Sequence, residues 1–295
     1  MPLRLLKRFR SLDALFHILT TTSSYLMIPL EDLFNDIVGK AMRGLTISDS
    51  EVAQRAGVST DAVQSLRDGE WNPDTAQKIA PVLGLGASAL VGIGEKTYRP
   101  AAVSLEGLQQ FNTPYEDMTV NSYLVWDGAS GTAVAFDTGA DCSGMLELIA
   151  EKKLHLAAIL LTHTHGDHIL ELDRLREKTG APAYVGEREP LDGAESFAAG
   201  RTFSFGPFEI GTRLTWGHSK GAITYVVRGL AAPVAIVGDA VFAGSMGGGG
   251  VSYADALRTN REEIMSLSNE TIVCPGHGPL TTIGEERSNN PFFTA

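Results

Sequence analysis

The run Thr162-His163-Thr164-His165-Gly166-Asp167-His168 brings three histidines and one aspartate together at one point of the chain. The apolar residues 157–161 precede it and are typical of a buried strand. If that strand geometry continues, the rings of His163 and His165 project to the same side, because side chains alternate along a strand. Asp167 and His168 stand where a helical pattern begins, so they can face a second ion beside the first. Packing gives no reason for so dense a polar cluster, and the run therefore predicts a metal site.

Three more candidate ligands occur downstream, in the runs Gly217-His218-Ser219, Gly238-Asp239-Ala240 and Gly276-His277-Gly278. A single histidine is more often a satisfied core residue than a metal ligand. Here five of the seven histidines lie in the 162–168 run and in the runs around His218 and His277, which favours the ligand interpretation. Imidazole nitrogens and carboxylate oxygens suit zinc or a similar first-row ion. Together with the first cluster, these residues are enough to hold two metal ions.

The composition favours a globular enzyme over a membrane or nucleic-acid-binding protein. A chain of 295 residues with 43% hydrophobic content can bury a large core and leave room for a second, small domain. No uncharged apolar run reaches about 18 residues, so no membrane-spanning helix is predicted. The formal net charge of −11 argues against a broad phosphate-binding surface. Cys142 and Cys274 are too few for a disulfide framework, which indicates a reducing compartment, expected to be the cytoplasm.

The pattern along the chain divides it into four parts. Residues 1–26 start with basic side chains but lack an uninterrupted apolar core, so we expect a disordered extension rather than a signal peptide. Residues 27–92 predict a helical module, and residues 93–100 predict a linker. Residues 101–295 form the domain that carries the candidate ligands.

The helical module contains three predicted helices, at 48–56, 59–68 and 73–83. The runs Val52–Ser59 and Val63–Glu70 resemble the helix-turn-helix of Cro and C1-type repressors, in which the second helix reads base edges. Residues 44–92 hold three basic and six acidic side chains, a net charge of −3, whereas DNA affinity needs the opposite sign. We therefore expect a docking, dimerisation or substrate-covering module, which leaves a homo-oligomer open and makes DNA an unfavoured partner.

Strand-like and helical segments alternate in the rest of the chain. Residues 122–126 and 132–139 predict a hairpin. Helices are predicted at 143–153, after His168 and at 253–267, and strands at 157–161, 208–214, 223–227, 234–237 and 271–273. The candidate ligands stand at the ends of these strands, where layered folds of helices and sheets commonly place their chemistry.

The order and spacing of these motifs resemble the metallo-beta-lactamase superfamily over residues 101–295, through Asp137-Thr138-Gly139, the His163 cluster, His218, Asp239 and His277. The resemblance implies an α+β fold class, with a four-layer αββα sandwich preceded by a small all-α module. It also implies two divalent ions, with zinc preferred and iron or manganese as alternatives. The residues it assigns to the first metal are His163, His165 and His218, those it assigns to the second are Asp167, His168 and His277, and Asp239 bridges both.

Within the superfamily, residues 162–168, 238–242 and 274–279 resemble the glyoxalase II, or hydroxyacylglutathione hydrolase, branch. That resemblance implies hydrolysis of a small-molecule thioester. Two ions about 3.5 to 4 Å apart can activate one water and polarise a carbonyl oxygen. A thiolate leaves without a strong general acid, and the charge that develops on oxygen is stabilised by the metals. Asp167 is then both a ligand and the catalytic residue that orients the water.

Further side chains are assigned to the surroundings of the metal ions. Asp137 is interpreted as holding a ligand or its loop, with a plain turn carboxylate as the alternative. Lys220 and Tyr253 are candidate substrate contacts, although a loop lysine is more often only solvated. The glycine-rich residues 244–250 predict either a loop that approaches the site closely or a plain flexible connection.

Two departures from the glyoxalase II pattern leave the substrate open. The 18 residues after His277 do not carry the glutathione-binding helical extension of that branch, and Phe242 is not followed by its Gly-Cys-Gly-Arg run. A lactone or another ester is therefore an alternative substrate. A persulfide dioxygenase, with one iron held by His163, His218 and Asp239, is an alternative activity. A DNA-bound regulator whose metal domain senses a ligand is the least favoured interpretation.

Overall fold

The computed structural model describes residues 28–295, so the predicted disorder of residues 1–26 lies outside the described residues. The α-helices in this range are α1 (Phe34–Leu45), α2 (Asp49–Ala56), α3 (Thr60–Arg67), α4 (Pro73–Ile79), α5 (Ala87–Gly94), α6 (Ser143–Lys152), α7 (Gly166–Ile169), α8 (Leu172–Thr179), α9 (Tyr253–Thr259) and α10 (Ile283–Asn289). The strands are β1 (Leu108–Tyr115), β2 (Met118–Trp126), β3 (Thr132–Phe136), β4 (His155–Leu160), β5 (Ala183–Gly186), β6 (Glu195–Phe197), β7 (Thr202–Phe205), β8 (Phe208–Leu214), β9 (Ile223–Arg228), β10 (Val234–Gly238), β11 (Ile272–Pro275) and β12 (Thr281–Thr282). Among the described helices, none has the length and apolar character that a bilayer crossing requires.

Two six-stranded sheets lie at the centre of the larger part of the molecule. Their strand orders are β1-β2-β3-β4-β5-β6 and β12-β11-β10-β9-β8-β7. Apolar side chains from both sheets fill the space between them, where the rings of Phe136 and Tyr225 meet at 5.5 Å between centroids. Helices α6 and α8 cover the outer face of the first sheet, and the segment after α9 together with α10 covers that of the second. The predicted αββα sandwich and α+β fold class are thus confirmed.

Alternating side chains give each sheet two apolar faces. In β2, Tyr123 and Val125 point into the space between the sheets, whereas Leu124 points outwards beneath the helices. Strand β9 does the same with Tyr225 inside and Val226 outside. Because both faces are covered, strands such as β3 and β10 are almost entirely apolar and do not alternate between polar and apolar residues.

The strand order brings the candidate ligands to one edge of the sandwich. Strands β3 and β4 pair in parallel, and so do β10 and β11. Asp137 follows β3, His163 follows β4 and its loop, Asp239 follows β10, and His277 follows β11. Since parallel strands end at the same edge of a sheet, the segments that follow them lie close together.

The structure departs from the predicted elements where local patterns are weak. Strand β4 ends at Leu160, so His163 and His165 lie in the loop beyond it, and strand geometry does not explain their convergence. Strand β1 was not predicted because its sequence is polar and contains Pro114. It is the edge strand of its sheet, a position in which proline is tolerated.

Three helices of the N-terminal module, α2, α3 and α4, begin within one residue of the predicted starts, whereas α1 and α5 were not among the three predicted helices. Ser59 caps α3 by accepting a hydrogen bond from the amide of Ala62, and Asn72 caps α4, whose first residue is Pro73. The predicted helix 73–83 is divided, because α4 ends at Ile79 and a 3-10 turn follows at Pro81–Leu83. Helix α5 runs on to Gly94, into the predicted linker. The resemblance of α2 and α3 to a helix-turn-helix stays a prediction, as does the docking, dimerisation or substrate-covering role expected for the module.

The helical module shares a buried core with the sandwich. Its apolar residues form one cluster with Met246, Tyr253, Ala256 and Phe292 of the larger part. Gly44 of α1 lies directly against the ring of Tyr253, where a Cβ atom would come within 2.2 Å of Cγ. The module and the sandwich are therefore held together by close apolar packing.

A buried carboxylate, Glu286 of α10, lies at the same junction. It accepts hydrogen bonds from the hydroxyls of Tyr98 (2.9 Å) and Thr281 (2.8 Å). The backbone amide of Gly244 (3.0 Å) and the side-chain amide of Asn290 (2.7 Å) are its other donors. Burial raises the pKa of Glu286 from 4.5 to about 7, against the opposing effect of these donors.

A methyl group at Gly44 tests the contact between α1 and Tyr253. We expect Gly44→Ala to destabilise the protein by roughly 1–3 kcal/mol, because the aromatic ring has to move out of a close-packed position. Gly128→Ala is the matched control, since a Cβ atom there meets nothing within 4 Å. Thermal unfolding of both variants measures the difference, and equal melting temperatures would contradict the described packing.

The pKa of Glu286 predicts a pH dependence of stability. The folded state keeps the proton up to about pH 7 and the unfolded state only up to about pH 4.5, so stability falls as pH rises through this window. Glu286→Gln stays neutral, and its amide can donate to the two hydroxyls while its oxygen accepts from the two amides. As the pH rises from roughly 4.5 to 8, we expect the free energy of unfolding to fall by about 3 kcal/mol more in the wild type than in the variant.

The measurement is denaturant unfolding at both pH values. Glu177→Gln is the control, because Glu177 is exposed on α8. Parallel pH profiles for the wild type and Glu286→Gln would show that Glu286 is ionised in the folded protein throughout this range.

Candidate metal centre

The seven predicted ligands meet at one edge of the sandwich and form two groups. The donors of the first group are His163, His165, His218 and Asp239, and those of the second are Asp167, His168 and His277. Within each group, the ligand atoms all lie within 4.8 Å of one another. The tertiary structure therefore brings together all the residues that the sequence nominated as ligands.

The first group has the spacing of a tetrahedral coordination shell. The Nε2 atoms of His163 and His218 each lie 3.0 Å from Nδ1 of His165. Asp239 Oδ2 lies 3.3 Å from His218 Nε2 and 4.0 Å from His163 Nε2. For bonds of about 2.0–2.1 Å to a tetrahedral ion, the ligand atoms are separated by about 3.3 Å. The observed separations bracket that value.

Asp239 also contacts the second group. Asp167 Oδ2 lies 3.3 Å from His277 Nε2 and 3.5 Å from His168 Nε2. Asp239 Oδ1 lies 3.3 Å from His168 Nε2, and its Oδ2 lies 3.5 Å from His277 Nε2. The carboxylate of Asp239 therefore stands between the two groups of donors.

Hydrogen bonds behind the rings determine which nitrogen faces the centre. The Nδ1 atoms of three histidines donate to oxygens that can only accept: His168 to the Asp137 carboxylate (2.9 Å), His218 to the Gly248 carbonyl (3.0 Å) and His277 to the Thr119 carbonyl (2.7 Å). Each Nδ1 atom therefore carries the proton. In the neutral rings, the Nε2 atoms then hold lone pairs, and all three lone pairs are directed into the centre.

The Nδ1 atom of His163 also carries the proton, because it faces a hydroxyl that can only accept. The Thr162 hydroxyl donates its single proton to Asp137 Oδ2 at 2.8 Å. It can therefore only accept from His163 Nδ1, which lies 3.0 Å away. A fourth Nε2 lone pair thus points at the first group of donors.

Asp137 lies directly behind His168 and supports two loops. Besides the bond to His168 Nδ1, its carboxylate accepts from the amide (2.7 Å) and the hydroxyl of Thr162. Its backbone has a φ of 54°, a conformation that is costly for a residue other than glycine. The fold maintains this conformation, and the carboxylate sets the tautomer of His168 as an outer partner of a metal ligand does.

The residue before His277 has to be a glycine, Gly276, because it lies directly against the carboxylate of Asp239. A Cβ atom at this position would lie 2.0 Å from Asp239 Oδ1, so the backbone approaches the carboxylate as closely as it can. The amide of Gly276 donates to the Gly238 carbonyl at 2.8 Å. This contact joins the loop that carries His277 to the loop that carries Asp239.

A sequence model of the metallo-beta-lactamase superfamily matches residues 115–277, more than half of the chain. The chain belongs to the metallo-beta-lactamase superfamily. Members of this superfamily bind divalent metal ions, typically two. The matched range contains all seven donors and leaves helices α1 to α5 outside it.

Individual metallo-beta-lactamase relatives are similar over most of their own length. The chain is 32% identical over 204 residues to the probable metallo-hydrolase YqgX of Bacillus subtilis, covering 61% of this chain and 95% of the relative. It is 26% identical over 200 residues to hydroxyacylglutathione hydrolase GloC of Haemophilus influenzae, covering 59% and 93%. The crystal structure of BLEG-1 B3 metallo-beta-lactamase superposes with a TM-score of 0.57 at 29% identity, covering 63% of this chain and 100% of that chain. This chain is thus a metallo-hydrolase of the superfamily.

The residues of this centre fit a pair of divalent cations. Among the described residues, His168 Nε2 and Asp239 Oδ1 are buried and have no hydrogen-bond partner. An unpartnered buried polar atom costs about 1–3 kcal/mol, and lone pairs that face one another repel. Cations between these atoms would remove both penalties, because imidazole lone pairs and carboxylates are their natural ligands.

Protons are the competitors of a cation at these atoms. Burial lowers the pKa of His163 well below its ordinary value, and nearby His168 adds to the effect. Burial also opposes protonation of His168 and His277, but the carboxylates around them, Asp239 foremost, prevail and raise their pKa values to about 10 and about 11. Since a metal has to displace these protons, metal affinity falls as pH falls.

The two candidate substrate contacts, Lys220 and Tyr253, belong to neither donor group. Lys220 is exposed on the loop after His218, and its contact with substrate stays a prediction. Tyr253 is only 8% exposed, and its ring fills the core against Gly44, so the structure does not bring it to the donor groups. Cys274 is fully buried in β11, where burial raises the pKa of its thiol well above the ordinary value, which disfavours a nucleophilic role.

Sequence reasoning missed most partners that orient the histidines. Thr119 and Gly248 act through backbone carbonyls, which every residue has, so no pattern in the sequence marks them. Thr162 acts through its hydroxyl, and its position next to His163 in the sequence was the one feature from which its role could have been predicted.

Asp137→Asn tests the role of the carboxylate behind His168. The Asn amide presents a donor in place of an acceptor, so His168 is expected to move its proton to Nε2 and to lose its lone pair for metal. We expect affinity for one of two zinc ions to fall about 10- to 100-fold, measured by competition with a chromophoric chelator. The control is Asp141→Asn, at a carboxylate that is 57% exposed. Two zinc ions bound as tightly as in the wild type would refute this role.

Proposed function

We propose that this chain is a binuclear metal-dependent hydrolase that cleaves a small-molecule thioester or a related ester. One observation carries the proposal: two groups of donors share Asp239, and four buried or half-buried Nε2 lone pairs are directed into the space between them. A single ion would leave one group without a role.

The donor groups suggest how two ions would be held. His163, His165 and His218 would bind one, Asp167, His168 and His277 the other, and Asp239 both. When bound, such a pair lowers the pKa of water and polarises a carbonyl oxygen. Zinc suits these nitrogen and oxygen donors, and iron or manganese can take the same set.

Asp167 is the side chain best placed to orient the attacking water. Its carboxylate is 14% exposed, whereas the side chains of His168 and His277 are 0% and 5% exposed. Asp167 lies close to the rings of His168 and His277 through its Oδ2 atom. Its Oδ1 atom is therefore available to accept a hydrogen bond from water. We therefore assign Asp167 the catalytic role of holding that water towards the carbonyl carbon.

The thioester substrate is supported by chemistry and by likeness. A thiolate leaves as a stable anion, so this chain needs no strong general acid beside the centre. The similarity to a hydroxyacylglutathione hydrolase points to the same class of bond. Lys220, exposed beside the His218 loop, is a candidate contact for an anionic part of the substrate.

A persulfide dioxygenase with one iron on His163, His218 and Asp239 is the competing activity. These three donors would suit oxygen activation. The second group of donors counts against it, because the fully buried His168 and the Asp137 behind it would have no function in a one-iron centre.

Metal loading and activity together test the proposal. We expect the full chain to bind two zinc ions and to release thiol from a hydroxyacyl thioester such as S-lactoylglutathione, with activity appearing as the second equivalent binds. Asp167→Asn is expected to lower kcat/KM by about 10² or more, since it removes the acceptor that orients water.

Asp173→Asn is the matched control, because its carboxylate is 97% exposed on α8. To test the competing activity, the full chain and both variants are also loaded with iron and supplied with glutathione persulfide, and oxygen uptake is recorded. One iron per chain with persulfide-dependent oxygen uptake and no thiol release would overturn the hydrolase proposal.

A further inference from the structure

We propose that the N-terminal helical module is a functional part of the metal centre, in which Lys40 and Asp32 hold the glycine-rich loop 244–250 and this loop positions His218. The inference rests on the proposed metal site but not on the identity of the substrate. The module lies outside the range matched by the superfamily model, so it is an addition to the sandwich.

The anchor is a buried ion pair. Lys40 of α1 pairs with Asp32, and their side chains are only 15% and 7% exposed. Two charges removed from water are costly unless further hydrogen bonds satisfy them. Both residues find these additional partners on the same short segment of the sandwich.

That segment is the start of the glycine-rich loop. Lys40 Nζ donates to the carbonyl of Met246 at 2.9 Å, and Asp32 Oδ2 accepts from the hydroxyl of Ser245 at 2.5 Å. The Lys40 ammonium also lies 5.0 Å from the ring centroid of Phe242, and that ring meets the ring of His277 at 5.6 Å. Two successive loop residues are thereby fixed from the module.

A later residue of the same loop, Gly248, holds His218. The carbonyl of Gly248, two residues beyond Met246, accepts the Nδ1 proton of His218 at 3.0 Å. This bond leaves the Nε2 lone pair directed at the first donor group. The four glycines at 247–250 have no side chains with which to fix their own backbone. Contacts from Lys40 and Asp32 add to the restraint that Asn290 supplies at the end of α10, where its side-chain amide donates to the Ser245 carbonyl at 2.7 Å.

Because the contacts run from Lys40 through the loop to His218, we expect their loss to weaken mainly the binding of one metal ion. The acceptors behind His168 and His277 are Asp137 and Thr119, which belong to the sandwich and not to the loop. Lys40 reaches the second group only through the Phe242 ring that packs on His277, and not through a hydrogen bond to a ligand's acceptor. Loss of the anchor should therefore act chiefly on the first group of donors. Lys40 is thus a positioning residue for the metal centre and does not itself bind the metal.

Zinc affinity of the full-length protein tests this role. Lys40→Met removes both hydrogen bonds but keeps an unbranched side chain of similar length. We expect one of two zinc ions to bind about 10- to 100-fold more weakly, and the other to bind as before, in competition with a chromophoric chelator. Arg67→Met is the matched control, because it removes another ion pair of the same module, Arg67 with Asp49 at 2.7 Å, that does not reach the loop.

A double-mutant cycle tests whether the effect passes through His218. In a His218→Ala background, Lys40→Met is expected to weaken zinc binding no further, since the residue it positions is gone. An equal loss in both backgrounds would overturn the proposed route, and wild-type affinity in Lys40→Met would overturn the proposal. A purely structural role would lower the unfolding temperature and leave the zinc affinity of the folded protein unchanged, which also counts against it.

Ser245→Ala decides the question if Lys40→Met does not fold. It removes one bond to Asp32 without leaving the lysine unpaired, and we expect a smaller loss of zinc affinity in the same direction. Unchanged affinity would reject the proposal. Since zinc binding needs no substrate, failure of thioester cleavage leaves this inference standing, whereas a wild-type chain that binds no zinc pair would reject the proposed function itself.

Discussion

The structure depends on a concentration of imidazole lone pairs around one carboxylate, Asp239, which is 7% exposed. Burial of an ionised carboxylate is costly unless opposite charge lies beside it. When no metal is bound, protons on His168 and His277 supply that charge, because Asp239, against the opposing effect of burial, raises the pKa values of the two rings to about 10 and about 11. Divalent cations at this joint edge of the two sheets would displace these protons and neutralise the carboxylate in their place.

The positions of the donors depend on a second layer of contacts that is spread over the fold. Asp137, Thr162, Thr119 and Gly248 each hold the Nδ1 side of one histidine. They come from four different segments, so the orientation of the lone pairs requires all these loops to be correctly packed. A change in any of them is expected to act on metal affinity before it acts on the overall fold.

The N-terminal helices make contacts with the sandwich that the sequence of these helices does not predict. Their pattern resembles a helix-turn-helix, but their net negative charge is unfavourable for DNA. In the structure they share a core with Met246, Tyr253 and Phe292, and they reach the loop behind His218. These contacts show that the module is docked on the sandwich, and its role as a docking, dimerisation or substrate-covering unit stays a prediction.

The sequence by itself determined the chemistry of the centre and the general architecture. His163, His165, Asp167 and His168 lie within one short run of the chain, so they stay near one another in any fold, and apolar runs mark the central strands. Tertiary structure alone decided the rest. The end of β4 at Leu160, the packing of Tyr253 away from the donors, and the bond from Lys40 to a residue 206 positions away have no local signature. The physical reason is that short-range patterns report which side chains are buried, whereas backbone acceptors and long-range contacts depend on how distant segments pack.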